Sequence, residues 1–441
     1  MEFFENRPVL SLRQMSMTKL ATLVCRDPKI LNFMKINGCA SYVFPSKNTH
    51  LYLGVKNPRK DVWMWKSLVR DVNLTPYDER SRRDAPDELN WQIKRNILPF
   101  ARWEELVNKR ISSLPKLLQQ ELLDVIRLVS IEIDKWIKYH SLIWARSSHI
   151  ARHFQYEFQW NSLGKIDQER TAMKLILNKR LPTRDRCTLC VLYDLTDMIP
   201  LQEKVPDEII QTYRRRELPI SMAFAGIKIN YLKRKDMFAT AGCKQKMLFL
   251  GDALLRECLQ YEDFLFYLSH LKDYEREAIF KYYGFKILRM YFLEWPLQSK
   301  FLSAAEQLLP HLNEEDFCDL LKIIVYERIM LGWEDFNYID LLKEFWSLSP
   351  LHLKEYIMAL GPFYVAIMFI INFPVGGNFP NEILFKSHQR DALVFQYSGV
   401  KYCLYKKNEV VSKKKSFLSN ILSPPQLQEF HTITSTMSRI I

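Results

Sequence analysis

The chain has 441 residues and a net charge of +13, with 48% hydrophobic and 26% charged residues, a globular rather than a disordered balance. At this length it exceeds one ordinary core and requires several packing units or one continuous array. Only 12 glycines are present, which weighs against α/β enzymes, whose phosphate loops and tight βα turns use glycine repeatedly.

The first unit, residues 1–38, reads as a helical hairpin. Leu12, Met15, Leu20 and Val24 lie near helical spacing, Asp27 can cap a second helix that Pro28 begins, and Gly38 can end it. Residues 39–88 read as a loop and linker with one short helix around Val62 to Val72, followed by a polar, proline-containing stretch. Residues 89–375 read as a helical repeat array. In it, Leu114-Pro115 begins a long amphipathic helix whose apolar stripe is Leu118, Leu122, Val125, Ile126, Val129, Ile133, Trp136, Ile137 and His140. Two short helices then meet at Leu181-Pro182. Asp167 caps the first, which turns Thr171, Ala172, Leu175 and Ile176 inward, and Thr183 can cap the second. Short helices of this kind cannot hide their stripes alone and need stacked neighbours.

The strings YLSHL (267–271), LLPHL (308–312) and SPLHL (349–353) recur every 41 residues, a period that suits paired-helix solenoids. Their histidines, His270, His311 and His352, are expected at turns and helix starts rather than around a metal. The segment Tyr356 to Phe373 is strongly apolar, but Gly361 and Pro362 divide it. The remaining run is shorter than the ~20 residues of a spanning helix, so a buried core helix is expected and no membrane partner. Residues 376–441 form an irregular C-terminal extension, in which Val394 to Tyr405 can pair as a hairpin around Ser398-Gly399. The expected fold is therefore all-α: an array of paired-helix, ankyrin-like or HEAT-like repeats forming a solenoid, with a less regular tail.

Three strings carry a resemblance: FQWNSLGKIDQERTAMKLILNKRLPTRDRCTLCVLYDL, YFLEWPLQSKFLSAAEQLL and GWEDFNYIDLLKEFWSLSPLHLKEYI. They are similar to segments of a large family of uncharacterised arthropod, chiefly spider, proteins. The resemblance spans roughly residues 1 to 360 and implies degenerate, ankyrin-like helix pairs. It implies no catalytic residues. The TPLH signature and ~33-residue period of true ankyrin repeats are absent.

Several side chains invite a functional reading. Cys187 and Cys190 form a CxxC, and His149 and His153 an i, i+4 pair upstream; together they could supply four zinc ligands. The cysteines fall on an apolar stripe, so packed thiols are the stronger reading, and no metal or other cofactor is expected. The histidine pair reads HIARH and lacks the glutamate of HExxH. No Gly-rich phosphate loop, GxSxG or DxDxDG string occurs either. The eight cysteines are scattered, which fits reduced thiols in the cytosol or nucleus. Ser11 to Leu20 (SLRQMSMTKL) resembles the Elongin-binding half of a SOCS box, with Ser16 where that pattern has cysteine and Leu12 as the anchor. Arg214, Arg215 and Arg216, with Lys233 to Lys235, form basic clusters near aromatics, and KKNEVVSKKK (406–415) forms another in the tail.

These features point to a non-enzymatic helical-repeat scaffold for protein–protein interaction, with the partner unidentified. One alternative is a ubiquitin-ligase substrate receptor that recruits Elongin through Ser11 to Leu20. A second is a basic RNA-binding solenoid. It ranks below a protein partner because the aromatics near the basic clusters sit at core spacing.

Overall fold

In the computed structural model, residues 11–37, 42–53, 63–69, 99–141, 146–193, 195, 198, 207, 238–255, 257, 259–374, 377–388, 393–397 and 400–406 are described. These residues are mostly helical. The hairpin at the start has its predicted cap at Asp27 and a second, unpredicted one at Ser11. α1 (Leu12–Cys25) begins on a capping box, in which Ser11 accepts from the Gln14 N–H and the Gln14 side chain accepts from the Ser11 N–H. α2 (Pro28–Asn37) follows Asp27, whose Oδ1 accepts from the Lys29 N–H at 2.9 Å. Gly38 lies outside the described residues.

The next segment departs from expectation twice. Ser46–Leu53 is a helix, α3, where a loop is expected. Its first turn is satisfied from a distance, because the Ser46 N–H donates to Glu104 Oε1 at 2.8 Å, on α4 (Pro99–Ile111). The short helix expected around Val62 to Val72 is instead a strand, β1 (Trp63–Val69). A seven-residue apolar and aromatic run cannot be assigned by periodicity. Here the deciding interaction is an antiparallel ladder with β3 (Val400–Lys406), from Trp63 opposite Lys406 to Val69 opposite Val400. β3 also pairs with β2 (Leu393–Tyr397), Leu393 opposite Leu404 and Tyr397 opposite Val400. The expected C-terminal hairpin is therefore present, as part of a three-stranded sheet ordered β1-β3-β2 that joins the two ends of the described chain.

The long helix α5 (Lys116–Ser141) runs where Leu114-Pro115 places it. Helices α6 (Ser147–Phe154), α7 (Gln168–Leu177) and α8 (Thr183–Tyr193) follow. Asp167 caps α7 through a 3.0 Å bond from the Arg170 N–H, and Thr171, Ala172, Leu175 and Ile176 are buried as read from spacing. After α9 (Cys243–Leu255) and α10 (Tyr261–Ser269) the helices come in pairs: α11 (Asp273–Leu293) with α12 (Phe301–Leu308), α13 (Glu314–Ile324) with α14 (Tyr338–Leu348), and α15 (Leu351–Ala359) with α16 (Pro362–Ile371). α11, α13 and α15 neighbour one another in one row and α12, α14 and α16 in a second. Each His-Leu string sits at the entrance to a first-row helix, with Leu271, Leu312 and Leu353 buried. α17 (Asn381–Ser387) leads to β2.

A single core runs through these elements, from Met17 on α1 to Leu404 on β3. The apolar Tyr356 to Phe373 segment is divided between α15 and α16. Phe363, Ala366, Ile367 and Ile370 face inward, while Val365 is 64% exposed. No helix among the described residues is long and apolar enough to cross a membrane.

A glycine fastens α3 and α17 to the end of the π-helical turn Val325–Ile329 that follows α13. Gly332 has φ +67°, and a Cβ there would lie 2.7 Å from Asn381 Nδ2 and 3.0 Å from Asn48 Nδ2. Those amides are engaged: Asn48 donates to the Leu331 carbonyl, and Asn381 donates to Asn48 Oδ1 at 3.3 Å. Gly332→Ala is expected to cost about 1–3 kcal/mol from the left-handed backbone alone. Urea titration will show a lower midpoint than the parent, and an unchanged midpoint would refute this account of the turn.

Candidate functional site

The chemistry-bearing groups gather around α5. The sequence gives this helix one apolar stripe and a charged remainder, but its middle is enclosed on every side: Asp124, Arg127, Ser130, Glu132 and Lys135 are buried as thoroughly as Leu122 or Ile126. Buried charges must be paired, and here they form two networks.

In the first, the Arg127 guanidinium contacts Asp124 Oδ1 at 3.3 Å and Glu104 Oε1 at 2.9 Å, and donates to the Tyr42 and Phe44 carbonyls. It lies over Trp103 at 5.0 Å and Trp333 at 5.9 Å. Arg328 covers the same Trp333 at 5.4 Å and Phe395 at 4.5 Å, and donates to the Gln396 carbonyl at 3.2 Å. Glu327 accepts from both the backbone and the side-chain N–H of Gln396, at 2.7 and 2.9 Å. Burial pushes Asp124 up to about 7 against the pull of Arg127, and Asp335 up to about 6 against that of Arg328.

The second network is centred on Lys165, whose ammonium meets Glu132 at 2.9 Å, Glu294 at 3.2 Å and the Tyr397 hydroxyl at 2.7 Å. Lys135 meets Glu294 at 2.6 Å, and Tyr397 donates to Glu132 at 2.8 Å. Burial alone would lower the Lys165 pKa, but Glu132, Glu294 and Tyr397 together hold it well above its usual value. Burial and Glu132 likewise raise Tyr397. Both groups therefore keep their protons, and neither offers a base at neutral pH. Two small clefts flank Glu294. One, beside Lys135, Lys165 and Trp295, has about 20 Å³ of free space; the other, beside Glu257, Lys286 and Arg289, has about 30 Å³. Such spaces hold a water molecule or two.

Among the described residues Cys25, Cys187, Cys190 and Cys318 are buried and Cys243 is half-buried. Cys25 lies 3.1 Å from the Ser130 hydroxyl, and burial pushes it up to about 12; Cys190 is also pushed up to about 12 by burial, with Cys187 adding to the rise. A protonated thiol is a poor nucleophile and a poor metal ligand. The paired motifs do not converge. Cys187 and Cys190 are buried on α8, whereas His149 and His153 are exposed on α6, tilted against each other with ring centroids 4.2 Å apart. No group of three or more metal-ligating side chains occurs among the described residues. Arg214, Arg215, Arg216 and Lys233 to Lys235 lie outside the described residues, as does the tail cluster beyond Lys406.

Leu12 is placed where a docking anchor would be. α1 buries Met17, Thr18, Ala21 and Cys25 against α5. On the opposite face it exposes Leu12 (79%), Met15 (41%), Leu20 (37%) and Leu23 (54%), with Ser16 and Lys19 between them. At 100° per residue, Leu12, Ser16, Lys19 and Leu23 align and Met15 and Leu20 flank them. The helix is thus apolar on both faces, and among the described residues only the inner face packs against another helix. It carries Arg13 and Lys19 and no acidic residue.

Set against known proteins, the chain matches no family model, no curated protein and no solved structure.

Proposed function

We propose that the chain is a non-enzymatic scaffold, a paired-helix solenoid of the cytosol or nucleus, whose protein partner docks on the outward face of α1. The observation that carries this reading is the row Leu12, Met15, Leu20 and Leu23, exposed on a helix whose other face is fully packed. Single exposed leucines are ordinary, but an aligned group of large apolar side chains marks an interaction surface. The mode is helix-in-groove. Because α1 contributes only cations, the complementary partner is an apolar groove rimmed by acidic residues. The two rows of helices from α11 to α16 support the solenoid. The likeness to arthropod helix-pair proteins is consistent with it.

The spacing favours one specific groove. Leu12, Ser16 and Leu20 share the exposed face, in the order of the SOCS-box pattern, so Elongin C is the first partner to test. Titration of the purified Elongin B–Elongin C complex should give saturable binding that weakens at least about tenfold in Leu12→Asp, since a buried leucine anchor is worth about 1.5–3 kcal/mol. The melting temperature should not change. Absence of binding removes the Elongin reading. The broader reading is tested by a photo-crosslinker at position 15, with one at exposed Arg184 as control. A partner captured only from position 15, then purified, must lose affinity for the Leu12→Asp, Leu23→Asp double variant; equal affinity would overturn docking on α1.

A further inference from the structure

The cleft between α9 and α11 contains more cationic donors than acceptors. Lys286 and Arg289 stand one turn apart on α11 and reach the same Glu257 oxygen, through Nζ at 3.3 Å and Nη1 at 2.7 Å. The two cationic side chains keep only 15% and 13% of their surface. Glu294 also lines the cleft, but it is already held by Lys135 at 2.6 Å and Lys165 at 3.2 Å. Burial lowers the Lys286 pKa. Glu257 and, more weakly, Asp316 raise it, Arg289 lowers it further, and the balance stays below the ordinary value.

The donors are also under-used. Arg289 donates through Nη2 to Gln396, but its buried Nε has no partner among the described residues. Of the three N–H groups on Lys286, Glu257 takes one. The rest of the wall is apolar, with Leu254, Leu259, Met290 and Leu293 facing about 30 Å³ of free space. That space holds a water molecule or two, which the two oxygens of a carboxylate can replace. A phosphate is larger and brings more charge than one unmatched cation requires.

We propose that this cleft binds a single carboxylate between Lys286 and Arg289, with its carbon end against Leu254 and Met290. The carboxylate comes either from a small free acid or from an acidic side chain of a docked protein. Charge-assisted bonds from an ammonium and a guanidinium to one carboxylate are among the stronger polar contacts available.

Acetate is the probe. Raised against chloride at constant ionic strength, it should give a saturable rise in melting temperature of about 1 °C or more. Saturation transfer from the protein should reach the acetate methyl group. Lys286→Met should abolish both effects, while the surface variant Lys174→Met should keep them. If Lys286→Met does not fold, the saturation-transfer measurement on the unmodified protein decides. Acetate behaving like chloride, no transfer to the methyl group, or a full effect in folded Lys286→Met overturns the proposal. A capped glutamate peptide separates the sources: displacement of acetate assigns the site to a protein-borne acid, and failure to displace it assigns a small free acid.

Discussion

Replacing Arg127 with methionine will lower the unfolding free energy by about 3–5 kcal/mol, the cost of breaking a buried ion pair from one side. Methionine fills much of the same volume, so the loss reads the charge and the hydrogen bonds rather than a cavity. The guanidinium is fully buried and touches both Asp124 and Glu104. It also donates to the Tyr42 and Phe44 carbonyls and is sandwiched between Trp103 and Trp333. Removing it leaves the buried Asp124 and the nearby Glu104 without the cation they share. Arg127→Lys keeps a charge but loses the planar fork and its stacking, so it should fall between methionine and the parent. Urea denaturation followed by tryptophan fluorescence measures all three proteins. A methionine variant within about 1 kcal/mol of the parent, the size of a surface ion pair, would show that Arg127 does not hold these elements together.

The same arginine marks where the sequence stops being readable. Local signals identified most helices correctly, because caps such as Asp27 and Asp167 and stripes such as Thr171-Ala172-Leu175-Ile176 act within one or two turns. Elements fixed from far away were missed. β1 pairs with a strand more than three hundred residues later, and α3 is capped by Glu104 on another helix. Neither partner is visible within a window around 46–69, where the residues alone read as loop and short helix.

The burial of the charged side of α5 is not visible in the sequence for a related reason. Asp124, Arg127, Glu132 and Lys135 follow helical spacing opposite an apolar stripe, the usual signature of a solvated face. They are buried because β2, the Trp333 turn and the loop carrying Lys165 close over them. The candidate docking face was partly legible: Leu12 as an anchor follows from the spacing, but the exposure of Leu23 along the same row does not. The lysine–arginine cleft was not legible, since Lys286 and Arg289 look like ordinary helix surface until Glu257 and β2 are brought against them.

Stability should fall by about 1 kcal/mol between pH 6.5 and 8, as one buried carboxyl with a pKa near 7 gives up its proton. The first network holds more acids than cations. Asp124 faces Arg127, Asp335, Glu104 and the Glu334 N–H, while Asp335 faces Arg328, Tyr338 and Glu121. Burial therefore keeps Asp124 protonated up to about 7 and Asp335 up to about 6, against 3.8 for an ordinary aspartate. Where the folded state holds a proton that the unfolded chain has released, stability declines as pH rises. These contributions are complete below 3.8 and are lost as the pH climbs through each folded value. His50 and His149, whose pKa values burial lowers, add stability as the pH rises through their ordinary 6.5, in the parent and in an Asp124 variant alike. Across the window from 6.5 to 8, the difference between the two proteins therefore isolates Asp124. In Asp124→Asn the amide can still accept from the Glu334 N–H but cannot titrate, so the slope should flatten across that window. Urea titrations at half-unit steps provide the test: a parent whose slope from 6.5 to 8 matches that of Asp124→Asn would mean that Asp124 is already ionised beside Arg127, and that the excess acid of this network is carried elsewhere.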